Sequence, residues 1–181
     1  FLHLDCRFTV DAEGKVRAEI NGKRDMERPF LPRFGLRMFL PKSFDTAEYY
    51  GYGPYESYSD KHLCTYIDEF NTTVSDMYEP YIKPQENGSH FGTRYVETEN
   101  IRVSSDTPFS FSALHYTQEE LTEKKHNFEL EKCGSSVVCI DSRMAGVGSN
   151  ACGPALDDKY RLPLPEISAK FRIEISTKEK H

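Results

Sequence analysis

The segment Ile167-Ser168-Ala169-Lys170-Phe171-Arg172-Ile173-Glu174-Ile175-Ser176 alternates strictly. Ile167, Ala169, Phe171, Ile173 and Ile175 fall on one side of an extended chain, and Ser168, Lys170, Arg172, Glu174 and Ser176 on the other. Successive side chains of a strand point to opposite faces, so this period of two predicts a strand with one buried and one wet face.

Moving outward, similar short, aromatic and β-branched runs recur along the whole chain. They predict strands over Leu2 to Val10, Lys15 to Asn21, Arg33 to Leu40, Glu48 to Gly53, Leu63 to Thr72, Phe91 to Glu97, Phe109 to Leu114 and Val137 to Asp141. Asp11-Ala12-Glu13-Gly14 fits a hairpin loop, with Gly14 supplying positive φ, and Asn87-Gly88 is a turn dipeptide. Only Thr117 to Lys125 reads as helix, with Thr117 as N-cap and Glu120 three residues later in a capping box. Leu162-Pro163-Leu164-Pro165 leads into the last strand, and residues 177–181 form a polar frayed tail. No repeat or linker divides residues 1–181, so the expectation is one all-β domain of antiparallel sheets packed face to face.

Composition narrows the function. The 181 residues carry a formal net charge of −6 and no basic block, which argues against nucleic acid and acidic membrane surfaces. No run of 18 apolar residues occurs, and the chain reads as soluble with any export signal missing. The 12 Phe and 11 Tyr supply bulky surface for a core. Five cysteines, Cys6, Cys64, Cys133, Cys139 and Cys152, lack CxxC spacing and are expected as free, mostly buried thiols, favouring a reducing, cytoplasmic compartment and leaving a periplasmic one open. The six histidines show no HExxH or HxH, so no metal site is proposed and each is expected to be exposed or at the core edge.

Three stretches could carry chemistry. In Gly51-Tyr52-Gly53-Pro54-Tyr55-Glu56-Ser57-Tyr58-Ser59-Asp60, the tyrosines and Glu56 either form a platform for a sugar ring or pack inward from a rigid turn. Between Ser75 and Arg94, Glu86 and Arg94 are placed to meet across the Asn87-Gly88 reversal as a structural clamp, the alternative being Glu86 as a general acid or base. Gly146-Val147-Gly148-Ser149-Asn150-Ala151-Cys152-Gly153-Pro154 is a loop whose backbone can approach a ligand. It lacks the strand and helix context of a nucleotide loop, and no neighbouring base activates Cys152.

In order, these stretches resemble the C-terminal domain of large bacterial β-galactosidases of glycoside hydrolase family 2. The likeness rests on Tyr52 to Asp60, on Ser75-Asp76-Met77-Tyr78 with Tyr81 to Gly88 and Gly92-Thr93-Arg94, on Tyr116 to Leu121, and on Met144 to Gly148 with Cys152-Gly153-Pro154. The first forty residues match in hydrophobic pattern alone. The resemblance implies a β-supersandwich of the galactose mutarotase type. The family domain begins well before Phe1, so this chain is expected to be its latter part, lacking the first strands and leaving exposed edges.

The resemblance further implies that both catalytic glutamates of the retaining mechanism belong to a separate barrel domain, so this chain carries no catalytic residue. Its expected role is to pack against that barrel and complete the galactoside-binding pocket of an enzyme that hydrolyses terminal β-D-galactosides such as lactose. Some members place a tryptophan at the pocket where this chain has Cys152; the thiol removes stacking area worth about 1–2 kcal/mol. Ser149 and Asn150 are its expected hydrogen-bonding neighbours, and Gly53, Pro54, Glu56, Glu86, Asn87 and Arg94 the structural motif residues. The implied partners are the remaining domains of a homo-oligomeric enzyme and a galactoside at the pocket rim. No cofactor belongs to this chain, magnesium and sodium being held by the other domains. Two competing readings are a stand-alone carbohydrate-binding module on Tyr52, Tyr55 and Tyr58, and a mutarotase-like epimerase requiring a histidine beside Glu56 or Glu86.

Overall fold

A computed structural model describes residues 1–25, 30–148, 154–163 and 165–176. The strands are β1 (Leu2–Val10), β2 (Val16–Arg24), β3 (Arg33–Pro41), β4 (Thr46–Gly53), β5 (Tyr66–Thr73), β6 (His90–Thr98), β7 (Ile101–Leu114), β8 (Ser135–Met144) and β9 (Glu166–Ile175). One short helix, α1 (Gln118–Glu123), follows β7. Every strand pair is antiparallel, so the expected all-β class holds.

The strands run in the order β1-β2-β9-β7-β6-β4-β5, and β8 pairs with both β7 and β3. The long β7 makes this branching possible. Its first residues, Ile101 to Ser104, pair with β9, whereas Ser110 to Leu114 pair with β8. The β2–β9 layer thereby comes to face the β3–β8 layer. Gly22 of β2 lies so close to Phe34 of β3 that a Cβ would come within 2.9 Å of its ring.

The apolar residues of these layers share one core. Ala18 and Ile20 of β2, Phe109 and Phe111 of β7, Val138 and Ile140 of β8 and Phe171 of β9 are buried together with Tyr49 and Val96. Phe109 and Phe171 meet edge-on with centroids 6.0 Å apart. Each of the Val, Ile and Phe side chains contributes about 1.5–3 kcal/mol through the apolar surface it removes from water. The alternation read in β9 holds for Ile167, Ala169 and Phe171, which are buried, and ends at Ile175, which is 55% exposed.

Two strands depart from expectation. β1 was expected to bury one face, yet all nine of its residues are exposed. It is the outermost strand and pairs only with β2, so Leu4 and Phe8 have no layer over them among the described residues. β7 starts eight residues before the expected Phe109, because the polar run Ser104-Ser105-Asp106-Thr107-Pro108 hides the continuity of the strand. No described helix is long and apolar enough to cross a membrane.

The hairpin between β1 and β2 follows the sequence reading. Gly14 has φ +80°, and Asp11 Oδ1 accepts the amides of Glu13 and Lys15. Thr117 caps α1 by accepting the Glu120 amide at 3.1 Å. The Glu120 carboxylate accepts the Glu131 amide instead.

Candidate functional site

The turn after β4 is built by Tyr58 and Lys61, whose backbone groups bond reciprocally at 2.8 and 3.0 Å, while the Ser57 amide donates to Ser89 O. Gly53-Pro54 is a cis peptide. This geometry aims two carboxylates in different directions, Glu56 towards the 79–88 segment and Asp60 towards the end of β8.

Glu56 is buried and accepts three donors. Lys61 Nζ lies 2.5 Å away, the Gly88 amide 2.9 Å away, and the Tyr81 hydroxyl closes the third contact. Burial, followed by the Glu56 hydrogen bond, pushes the Tyr81 hydroxyl above its ordinary value. Gly88 presents that amide from φ +69°, where a Cβ would run into the backbone of Met77. The fully buried Asn87 braces the same loop by accepting the Glu79 amide at 3.1 Å and donating to Gln85 O at 2.8 Å.

Glu86 pairs with Arg33 of β3 at 2.9 Å, not with Arg94 as expected. Thr93 is the buried member of that part of β6, so alternation turns Arg94 out to solvent. Arg33 also grips Asp141 of β8, and no simple signal announced it: one arginine at the start of an apolar strand reads as a solvated end. Burial raises Glu86 and the Arg33 charge opposes it.

Asp60 accepts the Val147 amide at 3.0 Å and the Gly148 amide at 2.8 Å. It therefore ties the first motif to the third. The expected pocket residues Ser149, Asn150 and Cys152 lie outside the described residues, as do residues 177–181.

The three tyrosines do not form one platform. Tyr58 is buried, Tyr52 packs on Phe91 and His62, and Tyr55 alone is largely exposed at 64%. Among the described residues no histidine hydrogen-bonds to Glu56 or Glu86; His90 Nδ1 lies 3.1 Å from the Tyr52 carbonyl instead. His90 and His115 are buried, against the expectation of exposed or edge positions. Burial pushes His90 down to about 4. The described cysteines are free, but Cys6 and Cys64 are exposed and only Cys139 is buried, a correction that follows from the openness of β1 and of the loop before β5. No group of three or more His, Cys, Asp or Glu among the described residues is arranged to hold a metal ion.

This arrangement interlocks the three stretches through contacts within the chain. The chain is 51% identical over 172 residues to a β-galactosidase of Actinobacillus pleuropneumoniae, covering 95% of this chain and 17% of that protein. It is 43% identical over 169 residues to a β-galactosidase of Staphylococcus xylosus, covering 91% and 17%. For a β-galactosidase of Streptococcus thermophilus the figures are 32% over 170 residues, covering 89% and 16%. The chain thus spans about one sixth of the length of the curated relatives it matches. The family described as beta galactosidase small chain matches residues 2–175, and the chain belongs to that family.

Proposed function

We propose that residues 1–181 are the latter part of the C-terminal supersandwich domain of a glycoside hydrolase family 2 β-galactosidase. In this reading the domain is non-catalytic, packs against the catalytic barrel and carries the 146–154 loop to the rim of the galactoside pocket. The full-length, homo-oligomeric enzyme hydrolyses terminal β-D-galactosides such as lactose with retention, through a covalent galactosyl intermediate on carboxylates of another domain. Magnesium and sodium, where the enzyme uses them, are held by its other domains.

One observation carries the reading: nearly the whole chain aligns, at up to 51% identity, with a sixth of proteins named β-galactosidase. The interlocked carboxylates support a scaffold role. Glu56 and Glu86 are each committed to cations within the chain.

Hydrolysis of a chromogenic β-galactoside by this chain alone, and again after addition of the remainder of the enzyme, tests the proposal. Silence alone with recovery on addition is expected. Turnover by the isolated chain would overturn it, as would failure of the added chain to restore turnover.

A further inference from the structure

Among the described residues β1, β3 and β5 are edge strands, each hydrogen-bonded to one neighbour. An open edge is ordinarily guarded by a lysine, a proline or a bulge. β1 has none of these: Leu2-His3-Leu4-Asp5-Cys6-Arg7-Phe8-Thr9-Val10 pairs with β2 throughout, without a shift in register.

The backbone groups of β1 point alternately to β2 and away from it. The Asp11 amide donates to Lys15 O at 3.1 Å and the Asp25 amide to Phe1 O at 2.9 Å, so at both ends of the hairpin the odd-numbered residues bond inward. Alternation along an antiparallel ladder then leaves the N–H and C=O of Leu2, Leu4, Cys6, Phe8 and Val10 on the free edge. The same residues turn their side chains to the core face, since Cys6 is opposite the buried Ile20 and Phe8 opposite the buried Ala18. Leu4, Phe8 and Val10 are nevertheless more than half exposed.

The order of these residues is complementary to itself. When a second β1 lies antiparallel on the free edge with the two-fold axis at Cys6, Leu4 falls opposite Phe8 of the other copy, Leu2 opposite Val10, and Asp5 opposite Arg7. Every outward backbone group then meets one of the other copy, the apolar side chains form one stripe, and Asp5 and Arg7 make ion pairs on the opposite face. Neither other edge can do this. The charges of β3 are Arg33 and Arg37 and those of β5 are Asp68 and Glu69, so two copies of either strand offer no opposite charge. We propose that β1 is a self-association edge, joining two copies of this chain into an isologous dimer with one sheet running through both.

The axis carries its own probe. Directly opposed residues of a hydrogen-bonded antiparallel pair have Cα atoms about 5.5 Å apart, within the range of about 4.4–6.8 Å that a disulfide spans. Diamide should therefore join the two Cys6 side chains, the two thiols giving up two electrons and two protons to the reagent. Cys6→Ser should abolish the linked dimer. Cys64→Ser, which alters the other exposed cysteine among the described residues, should leave it.

Sedimentation of the 181-residue chain under reducing conditions should show a monomer–dimer equilibrium in the micromolar range, as fits a small interface. Asp5→Arg and Arg7→Asp each set like charges opposite one another and should weaken it about tenfold or more. An equimolar mixture of the two variants matches every charge again and should restore association. Should either variant fail to fold, Leu4→Pro decides by its dimer content, because it removes an edge amide that β2 does not use. A chain that stays monomeric at about 100 μM overturns the proposal, as does a linked product that survives Cys6→Ser or a dimer that none of these variants weakens. Separation of the dimer on addition of the remainder of the β-galactosidase would assign the edge to a strand of another domain and overturn it as well.

Discussion

Arg33 and Asp141 grip each other at two points across β3 and β8, with Nε 3.0 Å from Oδ1 and Nη2 2.5 Å from Oδ2. The third guanidinium nitrogen takes Glu86 at 2.9 Å, so one cation serves two carboxylates. Burial acts to lower the Arg33 value, but the Asp141 hydrogen bond and the Asp141 and Glu86 charges outweigh it and hold it above the ordinary range. Replacing the cation strands Asp141, which is 4% exposed, and leaves the partly buried Glu86 without its counter-charge. Arg33→Met should therefore cost about 3–5 kcal/mol in urea unfolding, the range for breaking a buried pair from one side. A cost below about 1 kcal/mol would show that water, not Arg33, compensates the two acids.

The same strand pair contains a backbone constraint. The β3–β8 register shifts between Phe34 and Gly35, so that Phe34 opposes Arg143 and Gly35 opposes Asp141. A bulge draws the strands together at this point, and a Cβ on Gly35 would collide with the Ile140 carbonyl. That neighbour is backbone and cannot rotate away. Gly35→Ala should lower stability by on the order of 3 kcal/mol, through separation of β3 from β8. Thermal unfolding checks this; Gly134→Ala, where nothing lies within 4 Å of a new Cβ, is the neutral comparison.

Periodicity made the strands legible because it is a local property. β9 and β2 each show it, β8 reads instead as a continuous apolar run buried on both faces, and α1 announces itself through the Thr117 cap. The contacts of the candidate site are not local. Asp60 reaches Val147 and Arg33 reaches Asp141 across more than eighty residues, and a single sequence has no pattern that links such positions. Closeness in the chain suggests Arg94 as the partner of Glu86, whereas strand alternation points Arg94 away. Exposure of both faces of β1 does not show in its own residues, since Leu4 and Phe8 carry a normal core pattern and it is the lack of a layer over them among the described residues that leaves them open.

His90 predicts a pH dependence. Its ring packs against Tyr49 at 4.5 Å and Phe111 at 5.2 Å, and its Nδ1 lies 3.1 Å from the Tyr52 carbonyl, where it donates as the neutral ring. Burial favours the uncharged form and moves the value from 6.5 down to about 4, against smaller upward effects of the Tyr52 carbonyl and Glu56. Between these values the unfolded chain holds a proton that the folded chain does not. The contribution is thus complete above pH 6.5 and is lost as pH falls towards 4, by on the order of 3 kcal/mol. His90→Phe keeps the ring contacts and should flatten this part of the stability profile. Parallel profiles for the two proteins would rule the assignment out.

Glu56 and Lys61 share one of the shortest ion pairs in the chain, yet the two partners should contribute very unequally. The Glu56 side chain is 6% exposed and also accepts the Gly88 amide and the Tyr81 hydroxyl. Lys61 is 45% exposed, so water can replace its charge if it is lost. Glu56→Ala leaves a buried amide and a hydroxyl without an acceptor and should cost about 3 kcal/mol. Lys61→Met keeps the aliphatic stem over the Tyr81 ring and leaves Glu56 two donors; it should cost about 1 kcal/mol or less. In a double-mutant cycle read by urea unfolding, the coupling between the two should accordingly be a minor fraction of the Glu56→Ala effect. A coupling as large as that effect would mean that the lysine charge, and not the Gly88 amide, holds the carboxylate in place.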